Sequence, residues 1–324
     1  MRPGVTARAV MLRVSLLAQC QYDCGYCRPG SVAAPSPSSN WLSALDYGRV
    51  ARLFGELGVH KVRFTGGEPL LRPDLLEVVR AFRSALPERE LALTTNGQHL
   101  PRLLGALAEA GLSRATVHVD SLRQHRYADL MGPGVVSAVL AGVLEAKERL
   151  HGVKLNVVVQ RGKNDDELLD FLAWSRATGV QVRFIELMNT GSAVDYTRQV
   201  FIAGHEVLAR IGQSLSMRPI GRREEADPAS LYETEDGVVF GIIASDTAPF
   251  CSACDRLRLT ADGRMRGCLY ESGGVPLGSA LKTGAGDDEL RAMMRLGLSA
   301  KRSHHPLQPV PTAPIAFSMA DTGG

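Results

Sequence analysis

The stretch Leu12-Arg-Val-Ser-Leu-Leu-Ala-Gln-Cys-Gln-Tyr-Asp-Cys-Gly-Tyr-Cys27 decides how this chain is read. Leu12 to Leu17 reads as a strand, and it runs straight into three cysteines, Cys20, Cys24 and Cys27, spaced C-x3-C-x2-C. Such short spacings let three thiolates meet one cluster from a single loop. A cubane iron–sulfur cluster has four irons, so three cysteines leave one iron open to a substrate or cofactor. Structural zinc asks for four ligands, and this loop offers no fourth. Zinc or inert thiols stay as the competing reading.

Downstream, strand-like and helix-like segments alternate. Helices are expected over Asp46 to Leu57, Asp74 to Leu86, Leu100 to Ala110 and Val136 to Leu150, and strands over Lys61 to Thr65, Leu91 to Thr95, Ala115 to Val119 and Val180 to Ile185. Val153 to Val159 is rich in β-branched residues, as in a strand buried on both faces. Asn164 with Glu167 reads as a capped helix start. About six such units imply an α/β fold, an incomplete (β/α) TIM-type barrel with an open side. The pattern changes near Gly212. The expected division is therefore a partial-barrel domain over 1–215 and a C-terminal iron–sulfur-binding extension over 216–324. Gly221 to Ala229 reads as a surface loop, and the Pro-rich segment from His304 as a disordered or docking tail.

Composition bounds the function. The chain has 324 residues, 45% of them hydrophobic, enough for a large core. A net charge of +3, from 37 basic and 34 acidic residues, argues against a nucleic-acid or membrane-surface partner. Arg13 interrupts the apolar patch from Ala9 to Leu12, so a buried first strand is preferred over a signal peptide. A cytoplasmic protein with reduced thiols is the expectation. Six cysteines in two distant groups of three fit metal binding better than disulfides.

The second group is Cys251, Cys254 and Cys268, spaced C-x2-C-x13-C. It reads as a second cluster with an open iron. A zinc ribbon completed by His304 or His305 is the competing reading. Arg256 and Arg258 follow it at strand spacing, so both can face one side.

The first triad resembles the signature of the radical S-adenosylmethionine (SAM) superfamily. Thr65-Gly-Gly-Glu-Pro69 after a strand, and Thr94-Thr-Asn-Gly97 after another, fit the same superfamily. Its glycines would let the backbone approach a ligand and expose amide and carbonyl groups. The segment from Phe250 to Gly263, Arg183-Phe-Ile-Glu-Leu-Met188 and the terminal Gly323-Gly324 resemble one family within it, the GTP 3′,8-cyclases of molybdenum-cofactor biosynthesis.

That resemblance implies two [4Fe–4S] clusters and SAM, which yields a 5′-deoxyadenosyl radical that takes the ribose 3′ hydrogen of GTP. It places Tyr26, Gly66, Gly67, Glu68, Thr94, His118 and Met188 at SAM. It places Arg13, Lys61, Arg63, Lys154 and Arg183 at the triphosphate, gathered at one mouth of the barrel. It gives Arg256, Arg258, Gly323 and Gly324 a part in binding or in the steps after hydrogen abstraction. It also implies an electron donor, a downstream pterin-forming synthase and a homodimer. The chain departs from the family at Leu17-Ala-Gln-Cys-Gln21, Arg28, His118, Gln160, Asn189 and Thr322. Two other readings remain: a radical SAM enzyme with one auxiliary cluster acting on another nucleotide or a peptide, and a non-catalytic metal-binding protein.

Overall fold

The computed structural model describes residues 10–27, 41–188, 194–271, 273–299 and 301. In chain order the elements are β1 (Val10–Ser15), α1 (Ala44–Glu56), β2 (Val59–Thr65), α2 (Leu75–Ala85), β3 (Glu90–Thr95), α3 (Leu100–Glu109), β4 (Arg114–His118), α4 (Gln124–Met131), α5 (Val136–Arg149), β5 (Gly152–Val159), α6 (Leu168–Thr178) and β6 (Gln181–Glu186). There follow α7 (Val194–Val200), α8 (Gly204–Gly212), β7 (Met217–Gly221), β8 (Ser230–Thr234), β9 (Val239–Ile243), β10 (Arg256–Leu259), β11 (Arg264–Arg266), β12 (Val275–Pro276), α9 (Leu277–Lys282) and α10 (Asp287–Ser299).

Among the described residues the twelve strands share one open sheet, ordered β12-β11-β10-β1-β2-β3-β4-β5-β6-β9-β8-β7. The six expected parallel strands are present. Two more come from the C-terminal third: β10 lies parallel beside β1, and β9 parallel beside β6. The chain beyond 215 thus extends the same sheet at both edges.

Local chemistry explains the elements. Ser43 caps α1 in a reciprocal box, accepting from the Asp46 amide at 3.1 Å while its own amide donates to Asp46 Oδ2 at 2.9 Å. Tyr47, Val50, Ala51 and Phe54 then fall on the buried face of α1. On α5, Val136, Val139, Gly142, Val143 and Ala146 form the buried face, and Leu144 is 40% exposed.

Strand alternation positions the site. Leu12 and Val14, Val62 and Phe64, Val182 and Phe184, and Leu257 and Leu259 are fully buried core residues. The residues between them, Arg13, Lys61, Arg63, Arg183, Arg256 and Arg258, line a cavity on the other face. β5 obeys the same rule, which corrects the expectation of burial on both faces. Leu155 and Val157 are core, whereas Lys154, Asn156 and Val158 line the cavity.

The helix start at Asn164 and Glu167 is also corrected. α6 begins at Leu168, and the Glu167 side chain does not cap it. It accepts instead from Ser121 Oγ at 2.8 Å, the Leu122 amide at 2.8 Å and Arg126 Nη1 at 2.7 Å. Asn164 Nδ2 donates to the carbonyls of Asp120 at 2.7 Å and Val158 at 2.9 Å. Both residues tie neighbouring loops together. Among the described residues, no single helix is long and apolar enough to cross a membrane.

Candidate active site

One cavity of about 600 Å³ takes in both cysteine triads and the cations between them. Cys20, Cys24 and Cys27 follow the C-terminal end of β1. Cys251 and Cys254 precede the N-terminal end of β10, which runs parallel to β1. The two triads therefore stand toward opposite ends of the strands.

The first triad rests on the glycine segment. The Gly67 amide donates to the Leu17 carbonyl and the Glu68 amide to the Gln19 carbonyl, both at 2.7 Å. A Cβ on Gly67 would sit 2.1 Å from the Gln19 oxygen, and one on Gly66 (φ +142°) would sit 2.4 Å from the Leu17 oxygen. The glycines thus serve close approach to the cysteine loop, and these two amides are not offered to a ligand as the sequence reading expects. Glu68 braces the next strand end. Its carboxylate accepts from the Leu70 amide at 2.9 Å, Thr95 Oγ1 at 2.7 Å and the Asn96 amide at 2.8 Å. Burial pushes Glu68 up to about 7, against the pull of those donors. Asn96 in turn reaches the first sulfur, with Nδ2 3.8 Å from Cys20 Sγ.

Asp120 organises the far side of the triad. Its buried carboxylate accepts from Tyr26 Oη at 2.9 Å and the Val158 amide at 2.8 Å, and lies 3.0 Å from His118 Nε2. Tyr26 and His118 also touch each other, so one carboxylate fixes both rings. Burial first, then Asp120, pushes the Tyr26 phenol well up.

None of the six cysteines is in a disulfide, and all six are partly buried. Burial pushes Cys24 well up, with Asp120, Cys27 and Cys20 adding to it. Cys251 is raised by burial and then by Cys254 and Cys268. These mutual influences place the sulfurs of each triad near one another, and a bound metal centre would take them up as thiolates. Among the described residues no three His, Cys, Asp or Glu side chains converge on a single metal ion. Thiolates on separate corners of a cubane need not do so.

The cations form a row across the sheet. Arg13 is in register with Arg63 on one side and Arg258 on the other. Neighbouring strands are about 4.8 Å apart, so the three side chains leave the sheet from adjacent positions. Burial and then Arg258, Arg63, Arg256 and Arg183 push Arg13 well below its ordinary value. Burial lowers Arg63 to about 10 and Arg183 to about 9. Like charges held together in a buried cleft cost stability, and an anion between them removes that cost. Arg63 Nη1 donates to Thr94 Oγ1 at 3.2 Å and Thr116 Oγ1 at 3.0 Å, and Arg183 Nε donates to Asn156 Oδ1 at 3.0 Å. The row lies between the triads along the inner face, which corrects the expectation of cations gathered at one mouth. Lys61 is paired with Glu90, which also accepts from Arg114.

Met188 lines the cavity, as expected for a site residue. Gly323, Gly324, His304, His305, Arg28 and Asn189 lie outside the described residues. Sequence reasoning missed several participants. The loop after β7 is largely exposed, as expected, and it also lines the cavity through Arg223, Glu224, Ala226 and Asp227. Its Ala226 carbonyl accepts from Arg256 Nη2 at 3.2 Å. Phe250 carries the Arg256 guanidinium 4.6 Å above its ring centroid. The charge density of 222–227 was the available signal for that loop. Thr116 gave none.

The cysteine-bearing first part of the chain, residues 14–175, matches the model of the Radical SAM superfamily, and residues 180–307 match Molybdenum Cofactor Synthesis C. The chain is 38% identical over 285 residues to GTP 3′,8-cyclase 1 of Mycobacterium tuberculosis, covering 86% of this chain and 79% of that one. It is 39% identical over 273 residues to GTP 3′,8-cyclase of Aquifex aeolicus, covering 84% and 85%. Its fold is similar to that of Streptococcus suis SuiB bound to S-adenosylmethionine, with a TM-score of 0.58 at 14% identity over 82% of this chain and 61% of that one. That last likeness speaks to the fold alone. Two cysteine triads, a cation row between them and two matching family models converge: the chain belongs to the GTP 3′,8-cyclase family of the radical SAM superfamily.

Proposed function

We propose that this chain converts GTP to its 3′,8-cyclised nucleotide as a radical SAM lyase, an early step of molybdenum-cofactor biosynthesis. The observation that carries the reading is the single cavity shared by two cysteine triads and a row of arginines. Cys20, Cys24 and Cys27 would hold one [4Fe–4S] cluster, and Cys251, Cys254 and Cys268 a second. When bound, the first cluster and SAM supply a 5′-deoxyadenosyl radical.

The protein's own residues place the substrate. Arg13, Arg63, Lys154 and Arg183 face the cavity with donors suited to phosphate oxygens. Arg256 and Arg258 enter from β10, beside the second triad, where the base would lie if the triphosphate meets the row. Tyr26, Glu68, Thr94, His118 and Met188 stand on the side of the first triad, where SAM would bind. An electron donor and a pterin-forming synthase that takes the product are the partners this chemistry requires.

Reconstituted protein given SAM, a strong reductant and GTP deuterated at C3′ should pass deuterium into 5′-deoxyadenosine while GTP is consumed. SAM cleavage without that transfer would point to a different substrate. No cleavage with both clusters intact would favour a non-catalytic role.

Lys154 gives the binding step a pH signature. Burial and then Arg183 lower it to about 7, so in the empty pocket it discharges as pH rises through neutrality. Only the charged form attracts triphosphate, so binding takes up a proton and weakens with rising pH. Above pH 7 the Kd for GTP should climb by up to about tenfold per pH unit. Lys154→Arg should flatten the profile, since guanidinium stays charged. Calorimetry in buffers of different ionisation enthalpy measures the proton directly; no uptake in the wild-type protein would contradict the assignment.

A further inference from the structure

The ammonium of Lys301 has no part in the chemistry described so far, yet it sits against the second triad. Nζ donates to the Arg256 carbonyl at 2.6 Å and the Gly267 carbonyl at 3.3 Å, and lies 3.6 Å from Cys254 Sγ. An ammonium has three N–H donors, and three acceptors surround this one. Arg256 stands two residues after Cys254, and Gly267 stands directly before Cys268. One charge therefore joins the two arms of the chain that carry the triad. The backbones pack closely there: a Cβ on Gly267 would meet Lys301 Cα at 3.1 Å. Lys301 also lines the cavity, in the neighbourhood of Arg256 and Arg258. A cation added among cations is costly unless an anionic partner faces it, and the Cys254 sulfur, 3.6 Å away, would be that partner once the triad ligates a metal centre.

We propose that Lys301 is a positioning residue for the second cluster: it holds the Cys254 and Cys268 arms together and, through its charge and its N–H toward Cys254 sulfur, raises the cluster's reduction potential. This rests on the reading that Cys251, Cys254 and Cys268 bind an iron–sulfur cluster. The physics is direct. Reduction adds negative charge to the cluster, and a nearby positive donor stabilises that form more than the oxidised one.

The test is an EPR-monitored redox titration of the full chain, with iron counted and the first cluster as internal reference. Lys301→Gln keeps a hydrogen-bonding amide and removes the charge. It should retain wild-type iron and show the second cluster reduced only at more negative potential, with the first unmoved. Lys301→Arg should titrate like wild type. An unshifted second cluster in K301Q overturns the proposal. If K301Q loses the second cluster while K301R keeps it, the charge is required for assembly and the proposal stands. If both variants lose it equally, the charge has no such role and the proposal fails. Wild-type protein holding iron for one cluster only would remove the cluster reading itself, and the role of Lys301 with it.

Discussion

In the Cys24→Ala protein, SAM cleavage falls to background. The Cys24 thiol is 3.8 Å from the Met131 carbonyl, in a loop held by Gly67 and Glu68 and closed by the Cys27 amide on the Cys24 carbonyl. Alanine removes one sulfur and leaves those backbone bonds in place, so the fold should persist. Two remaining thiolates cannot hold a cubane that needs three corners and one open iron. Iron should drop to what the second triad binds, and 5′-deoxyadenosine should vanish from anaerobic reactions containing dithionite. The far-UV spectrum should match that of the parent. Normal 5′-deoxyadenosine formation in this variant would end the assignment of Cys20, Cys24 and Cys27 as ligands.

Arg256→Ala should separate the two halves of the reaction. Arg256 lies toward the opposite end of the strands from the first triad, stacked on Phe250 and bonded to the Ala226 carbonyl. Its loss leaves the first site's bracing by Glu68, Asn96 and Asp120 untouched. SAM cleavage should therefore continue, while cyclised product falls by about 100-fold or more, the scale on which a preorganised charged donor acts. Product and 5′-deoxyadenosine counted in the same reaction give the ratio directly. A ratio equal to that of the parent would show that Arg256 has no part beyond holding the loop at Ala226.

What the sequence could and could not reveal follows from the range of each interaction. The triads were legible because their cysteines are close in sequence, and the parallel strands because burial of alternate residues leaves a local pattern. Arg256 and Arg258 were legible for the same reason: two residues apart on a strand, they face one way. The placement of β10 beside β1 and β9 beside β6 was not legible, since no local pattern states which edge a strand joins. Glu167 misled because a carboxylate before a helix ordinarily caps it, and here Ser121, Leu122 and Arg126 claim it from across a loop. The glycine pair was legible as a point of close approach, but that the cysteine loop is what it approaches is set by the fold. Lys301 carried no signal at all, being a single lysine ahead of a Pro-rich tail.

The sheet order also has a consequence for how the chain is made. On a ribosome, β1 to β6 emerge first and can pair among themselves, but the outer edges of β1 and β6 stay bare until β9 and β10 have left the exit tunnel. Bare parallel edges invite pairing with other chains. β10 must travel back across more than 240 residues of sequence to reach β1, a long-range closure that comes late and slowly. The nascent protein therefore has a vulnerable interval during which a chaperone, or the arrival of iron and sulfide at the first cysteine loop, would decide its yield. Low temperature and slow translation should raise the recovered fraction, and a stop codon placed after β6 should send the product into the pellet.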